Sequence, residues 1–133
     1  MANRNKKPMV QFKGIMKRFG KVTAVEKMDF DIEEGSLVTL LGPSGCGKST
    51  ILRLVAALEE ASTGRVSIEG NDPTDLSKAH RLGVAFQDHA LLPWLTIKDN
   101  ISMPFKVAGR AVDSGRIDDL LNLVGLKGFE KAR

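Results

Sequence analysis

Gly42-Pro43-Ser44-Gly45-Cys46-Gly47-Lys48-Ser49 lies between the run Leu37-Val38-Thr39-Leu40-Leu41 and the stretch Ile51-Leu52-Arg53-Leu54-Val55-Ala56-Ala57-Leu58. The first flank is almost continuously apolar, the pattern of a strand covered on both faces. In the second, Ile51, Leu52, Val55 and Leu58 recur at i, i+1, i+4 and i+7, which predicts one apolar helical face. A central parallel strand, a glycine-rich loop and a helix packed back on the sheet are expected in that order, so the fold class is α/β.

The loop satisfies G-x-x-x-x-G-K-[ST], and a buried strand before it with an amphipathic helix after it is the context that separates a phosphate-binding loop from a chance match. Glycines allow the backbone turns that aim successive N–H groups inward, and the new helix adds its positive dipole end. Lys48 supplies a mobile charge for the β- and γ-phosphates. Ser49 offers Mg²⁺ a hydroxyl, and Thr50 extends the amide cradle toward the α-phosphate. These residue types imply ATP-like nucleotides with Mg²⁺. Cys46 stands in the loop at a helix N-terminus, where thiols are often reactive; a small tolerated side chain is the plainer reading.

Outward from the loop, Val10 and Phe12 alternate with Gln11 and Lys13, and Met28 to Ile32 alternates after a turn at Gly20. Half-buried antiparallel strands read this way. Gly64 to Glu69 alternates again through Val66 and Ile68, and the turn formers Asn71-Asp72-Pro73-Thr74-Asp75 suggest one more outer hairpin. Leu82-Gly83-Val84-Ala85-Phe86 reads as a second buried strand, ending at Gln87. Beyond Pro93 the pattern becomes helical: Thr96 is placed to cap a helix from Ile97, and Ile117, Leu120, Leu121 and Val124 share a face before a stop at Gly125.

Composition agrees with a globular protein: of 133 residues, 42% are hydrophobic and 27% charged, so neither disorder nor a fibre is implied. No apolar run approaches the roughly 18 residues a bilayer crossing needs. The basic N-terminus has no apolar region behind it and does not read as a secretory signal. A single cysteine makes no internal disulfide, in keeping with a reducing compartment. Arg4, Lys6, Lys7, Lys13, Lys17, Arg18 and Lys21 form a basic run without an acid. Attraction to nucleic acid, anionic lipid or nucleotide phosphate is one reading. Lacking interleaved aromatics and any nucleic-acid motif, the run reads better as a solvated tail plus a half-exposed strand, and no nucleic acid is expected as a partner.

Several blocks together narrow the class. Lys17-Arg18-Phe19-Gly20, Phe30-Asp31-Ile32-Glu33-Glu34-Gly35, the loop through Thr50, Gly64-Arg65-Val66 with Gly70, and Val84-Ala85-Phe86-Gln87 with Leu91-Leu92-Pro93-Trp94 occur in that order. From residue 10 onward the chain resembles the start of ABC transporter ATP-binding subunits. The resemblance implies a P-loop NTPase (RecA-like) core with an antiparallel β-subdomain and the start of a helical subdomain. It divides the chain into a basic tail (1–9), an ATP-binding core (10–90), and a Q-loop with a partial helical subdomain (91–133).

It also implies roles. Phe19 would stack on adenine where the family usually places tyrosine, the alternative being a plug for the sheet edge. Gly42, Pro43, Ser44, Gly45, Cys46, Gly47, Lys48, Ser49 and Thr50 would bind ATP. Gln87 would reach Mg²⁺ beside Ser49, approach the attacking water with Lys48, and sense the neighbouring helical region, the alternative being a polar strand end. Membrane permease subunits would dock on the Q-loop and helical region. A second ATP-binding subunit would complete a homodimer, peripheral on the cytoplasmic face of the cell membrane. Leu91-Leu92-Pro93-Trp94-Leu95-Thr96 with Asp99-Asn100-Ile101 resembles importers of nitrate, sulfonates and taurine.

Within the 133 residues there is no L-S-G-G-Q signature, no apolar strand ending in a Walker B aspartate and catalytic glutamate, and no switch histidine. Ile117-Asp118-Asp119-Leu120-Leu121 has helical spacing, with one apolar residue ahead of its acids, and does not read as Walker B. His80 and His89 precede the helical region and read as surface residues. The chain stops at Lys131-Ala132-Arg133, where the signature would follow, so a truncated subunit is expected. Lys48, Ser49 and Gln87 lack the acid that holds Mg²⁺ and polarises water. The strands flanking residues 37–41 would come from the missing half, which implies marginal folding. The alternatives are a catalytically dead nucleotide-binding remnant or docking module, or an unrelated P-loop kinase or repair ATPase, which would need a phosphate-acceptor site.

Overall fold

The computed structural model describes residues 8–88 and 90–133. The chain divides into two compact units, Met1–Val84 and Ala85–Arg133.

In the first unit, β1 (Pro8–Phe19), β2 (Val22–Glu33) and β3 (Thr63–Ile68) form an antiparallel sheet in the order β2-β1-β3. The alternation at Val10 and Phe12 puts both on one face, where Phe12 pairs across the ladders with Phe30 and Val66. Gly20, at φ 59°, makes the tight turn between Phe19 and Val22. A bulge in β1 near Gly14 brings its carbonyl against Gly64, where a Cβ would collide with backbone. Helix α1 (Lys48–Val55) lies on this sheet, and Phe12, Ile15, Val25 and Leu54 form the buried core, ringed by Ile51, Val55, Met28 and Val66.

Four expectations need correction here. The apolar face of α1 is Ile51, Leu54 and Val55, while Leu52 and Leu58 are exposed. The helix ends at Val55, Ala57 turns to φ 57°, and the Leu58 amide folds back to the Arg53 carbonyl at 2.9 Å, so Leu58 lies beyond the last helical turn. Asn71 to Asp75 is not a hairpin turn: Asp72 caps α2 (Pro73–Lys78) by accepting from the Thr74 amide at 2.8 Å, and Pro73 occupies the position that needs no donor.

Residues 37–41 form no strand, and Leu37 and Leu41 are 96% and 89% exposed. The same holds for Leu82 to Phe86, where Val84 and Phe86 stand in solvent. Neither segment has a ladder partner among the described residues. An apolar run becomes a strand only when a neighbour satisfies its amides and carbonyls, and these two have none.

In the second unit, α3 (Ile97–Val107) is capped by Thr96, whose hydroxyl accepts from the Asp99 amide at 3.1 Å and donates to the Asp99 carboxylate at 2.7 Å. Residues 130 and 132 return to the head of α3, accepting from the Lys98 and Ile97 amides at 3.1 and 2.9 Å, so first-turn donors are satisfied. Helix α4 (Ser114–Leu123) is capped by Asp113 and buries Ile117 and Leu121 completely, while Val124 is exposed and Gly125, at φ 72°, ends the run. Ile117 to Leu121 is therefore helical, as its spacing predicts. No described helix is long and apolar enough to cross a membrane. His80 is exposed; His89 and the basic residues Arg4, Lys6 and Lys7 lie outside the described residues.

Candidate phosphate-binding site

Helix α1 begins at Lys48 on an N-cap glycine, Gly47, whose φ of 93° suits only a residue without Cβ. A Cβ at Gly47 would also strike the Ala24 carbonyl, so the glycine lets the loop sit directly on β2. No side chain caps the helix, and among the described residues the amides of Lys48, Ser49 and Thr50 have no acceptor. The positive end of α1 is thus open toward the loop.

The loop closes over this end through Lys48. Its Nζ donates to the carbonyls of Gly42 at 2.8 Å and Pro43 at 2.6 Å, and lies 3.5 Å from Cys46 Sγ. Residues 42–48 therefore curl around one ammonium. An anion entering there would exchange the ammonium's neutral carbonyl partners for charged oxygens. Ser49 and Cys46 are exposed beside it. The donor set fits a phosphate group: beside the Gly42 and Pro43 carbonyls it offers the Lys48 ammonium and the amides of Lys48, Ser49 and Thr50, which have no acceptor among the described residues, and no carboxylate stands between Leu37 and Leu58 in the sequence. Ser49 is the hydroxyl available to Mg²⁺.

A cavity of about 380 Å³ adjoins the loop, lined by Thr23, Ala24, Val25, Gly45, Cys46 and Ile51 among others. Sequence reasoning did not single out Thr23 to Val25; they carry no polar motif, and only the seating of Gly47 on Ala24 brings them to the loop. Phe19 ends β1 and is 47% exposed, so one ring is left accessible in the unit that holds the loop. Gln87 lies exposed in a bend of the second unit, directly after Phe86. The expected residues 42–50 are thus brought together by one unit, whereas Gln87 belongs to the other.

Comparisons with known proteins place the chain in a family. The family described as ABC transporter matches residues 25–133. A curated relative from Photorhabdus laumondii, "Fe(3+) ions import ATP-binding protein FbpC", is 44% identical over 124 residues, covering 91% of this chain and 35% of its own length. The protein of the same name from Escherichia coli K12 is 42% identical over 127 residues, covering 93% and 36%. The chain thus spans about a third of the length of these relatives. Among solved structures, the dimeric ATP-binding cassette MJ0796 bound to ADP and Pi superposes with a TM-score of 0.77 at 30% identity, over 92% of this chain and 60% of that one. An ATP-binding subunit of an ABC transporter, at 22% identity, shares the fold with a TM-score of 0.78 over 92% of this chain and 53% of that one. The architecture is that of the P-loop NTPase cassette, and the chain belongs to the ABC transporter family.

Proposed function

We propose that the chain is the ATP-binding part of an ABC-type importer ATPase. The observation that carries this reading is the Lys48 ammonium held inside a closed ring at the uncapped head of α1. On binding, Lys48 leaves the Gly42 and Pro43 carbonyls for the β- and γ-phosphates, and the residue 45–50 backbone supplies amides around them. Ser49 and Gln87 would hold Mg²⁺, which would supply neutralisation of phosphate charge. Phe19 takes the adenine. Lys48 and Gln87 are the residues of this chain assigned to hydrolysis in the intact enzyme.

The domain reading follows: an ATP-binding core with its β-subdomain over 10–90, behind a basic tail (1–9), and a Q-loop with part of a helical subdomain over 91–133. Permease subunits dock on that second region, and the cassette pairs with a second copy at the cytoplasmic face of the membrane; MJ0796 crystallised as a dimer supports the pairing. Relatives named for Fe(3+) import favour an importer, with ferric ion as one cargo class. The resemblance at residues 91–101 favours nitrate, sulfonate or taurine.

A second reading is favoured by one sequence observation. Within 133 residues no Walker B acid or catalytic glutamate is present, so the chain by itself is a nucleotide-binding module without turnover. Titration with a fluorescent ATP analogue and Mg²⁺ tests the common core of both. Removing Lys48 by Lys48→Ala should weaken binding about 10- to 100-fold, the loss of one or two charge-assisted hydrogen bonds. Undiminished affinity would reject the role given to Lys48, and phosphate release from the chain alone would reject the module reading.

A further inference from the structure

Lys17 belongs to the basic run that the sequence reads as a solvated tail plus a half-exposed strand, and its side chain is only 12% exposed. Its Nζ donates to the Glu59 carboxylate at 2.7 Å and to the Glu60 carbonyl at 2.8 Å. The same ammonium lies 4.8 Å from the centroid of the Phe19 ring. Lys17 and Phe19 are two apart in β1, so both side chains rise from one face of the strand. Beside them the Arg18 amide donates to Ser62 Oγ at 3.0 Å and the Ser62 amide to the Met16 carbonyl at 2.8 Å. The end of β1 is thereby pinned to the connection leaving α1, the helix whose other end is the phosphate loop.

An ammonium with two oxygen partners cannot wander, so it holds the ring beneath it in one plane. One ring face is covered by Lys17, and the exposed remainder offers a single stacking surface. We propose that Lys17 is a positioning residue for the nucleobase: anchored by Glu59 and Glu60, it fixes the plane of Phe19 so that a purine stacks on the uncovered face in register with the phosphate loop. This rests on the reading of Phe19 as the base platform. It gives Glu59, past the opposite end of α1 from the loop, a part in choosing a nucleotide over a bare polyphosphate.

The protein and its variants are titrated with ATP and, separately, with inorganic triphosphate, both with Mg²⁺. Lys17→Met should raise Kd for ATP about fivefold, the scale of one cation–π contact, and leave Kd for triphosphate unchanged. Lys17→Arg, which keeps the charge and the donors, should restore ATP affinity. In a Phe19→Ala background Lys17→Met should add nothing. Equal losses for the two ligands would make Lys17 a mere support of the fold and overturn the proposal. Tighter ATP binding in Lys17→Met would overturn it too, since the ammonium would then be competing with the base for the ring. If Phe19→Ala weakens ATP while Lys17→Met does not, the proposal alone fails. If Phe19→Ala leaves ATP affinity intact, the base-platform reading fails with it.

Discussion

Residues 37–41 and residues 42–55 adjoin in the chain, and both carry strong sequence signals, yet only the second is formed. The phosphate loop closes on contacts within a few residues: Lys48 to Gly42 and Pro43, Gly47 onto the helix it starts, Ile51 back to Gly47 at 3.0 Å. The apolar run needs neighbours that no described segment supplies. Local interactions are cheap in loop-closure entropy and form by themselves, whereas a parallel strand waits for partners distant in sequence. A functional ring can thus be complete while the strand leading into it stands bare.

Two leucines give the largest expected contrast. Leu54 is 3% exposed in the core and Leu37 is 96% exposed. Leu54→Ala should cost about 3 kcal/mol, as other buried leucines do, measured by denaturant unfolding. Leu37→Ala should stay within about 0.5 kcal/mol. Similar costs at the two sites would break the comparison by showing that residues 37–41 are packed after all.

Next in size, Gly47→Ala attacks the loop where it touches β2. The residue combines φ 93° with a Cβ directed at the Ala24 carbonyl, so a loss of about 2 kcal/mol is expected from backbone strain and overpacking. ATP affinity should fall with it in the same titration. Gly20→Ala shares the positive φ of 59° but meets nothing within 4 Å, and should cost about 1 kcal/mol. An equal or larger effect at Gly20 would remove the seating on β2 from the account.

A smaller effect concerns acid. The hydrogen bond from Lys17, followed by its charge, holds the Glu59 carboxyl below the ordinary glutamate value despite partial burial. A carboxyl depressed in the folded state contributes stability above its unfolded pKa and loses it as pH falls through the folded one. Melting temperature should therefore be flat near neutrality and decline from about pH 4.3 downward, and Glu59→Gln should flatten part of that decline. Asp99, lowered by Thr96 and then Lys106, acts with the same sign in the second unit. An unchanged acid profile in Glu59→Gln would mean that the Lys17 anchor has no energetic weight.

These contrasts also explain what could be read from the sequence. The helix start at Lys48, the cap at Thr96, the turn at Gly20 and the stop at Gly125 were legible because each is set by residues a few positions apart. The alternation of Val10, Phe12, Val66 and Ile68 was legible because one buried face fixes the register. The absence of strands at 37–41 and 82–86 was not, since apolar character reports a wish for burial but not the presence of a partner. In α1 the phase was misread because Leu52, one residue from Ile51, mimics the stripe that Leu54 completes. Asp72-Pro73 is a cap and first helical residue as readily as a turn, and the helix that follows buries Leu76, which no local pattern marks. Within the candidate site, residues 42–50 form one contiguous motif that a local pattern marks, while Thr23 to Val25 and the Lys17 anchor depend on long-range packing that no local pattern marks.

The central claim is that the backbone of residues 45–50 is an anion cradle held ready by Lys48. Hydrogen exchange of those amides, measured with and without ATP and Mg²⁺, tests it most directly. Slowed exchange at Gly45 to Thr50 on adding nucleotide, with Leu37 to Leu41 exchanging freely in both states, is the predicted result. Exchange at Gly45 to Thr50 that does not change at saturating nucleotide would contradict it.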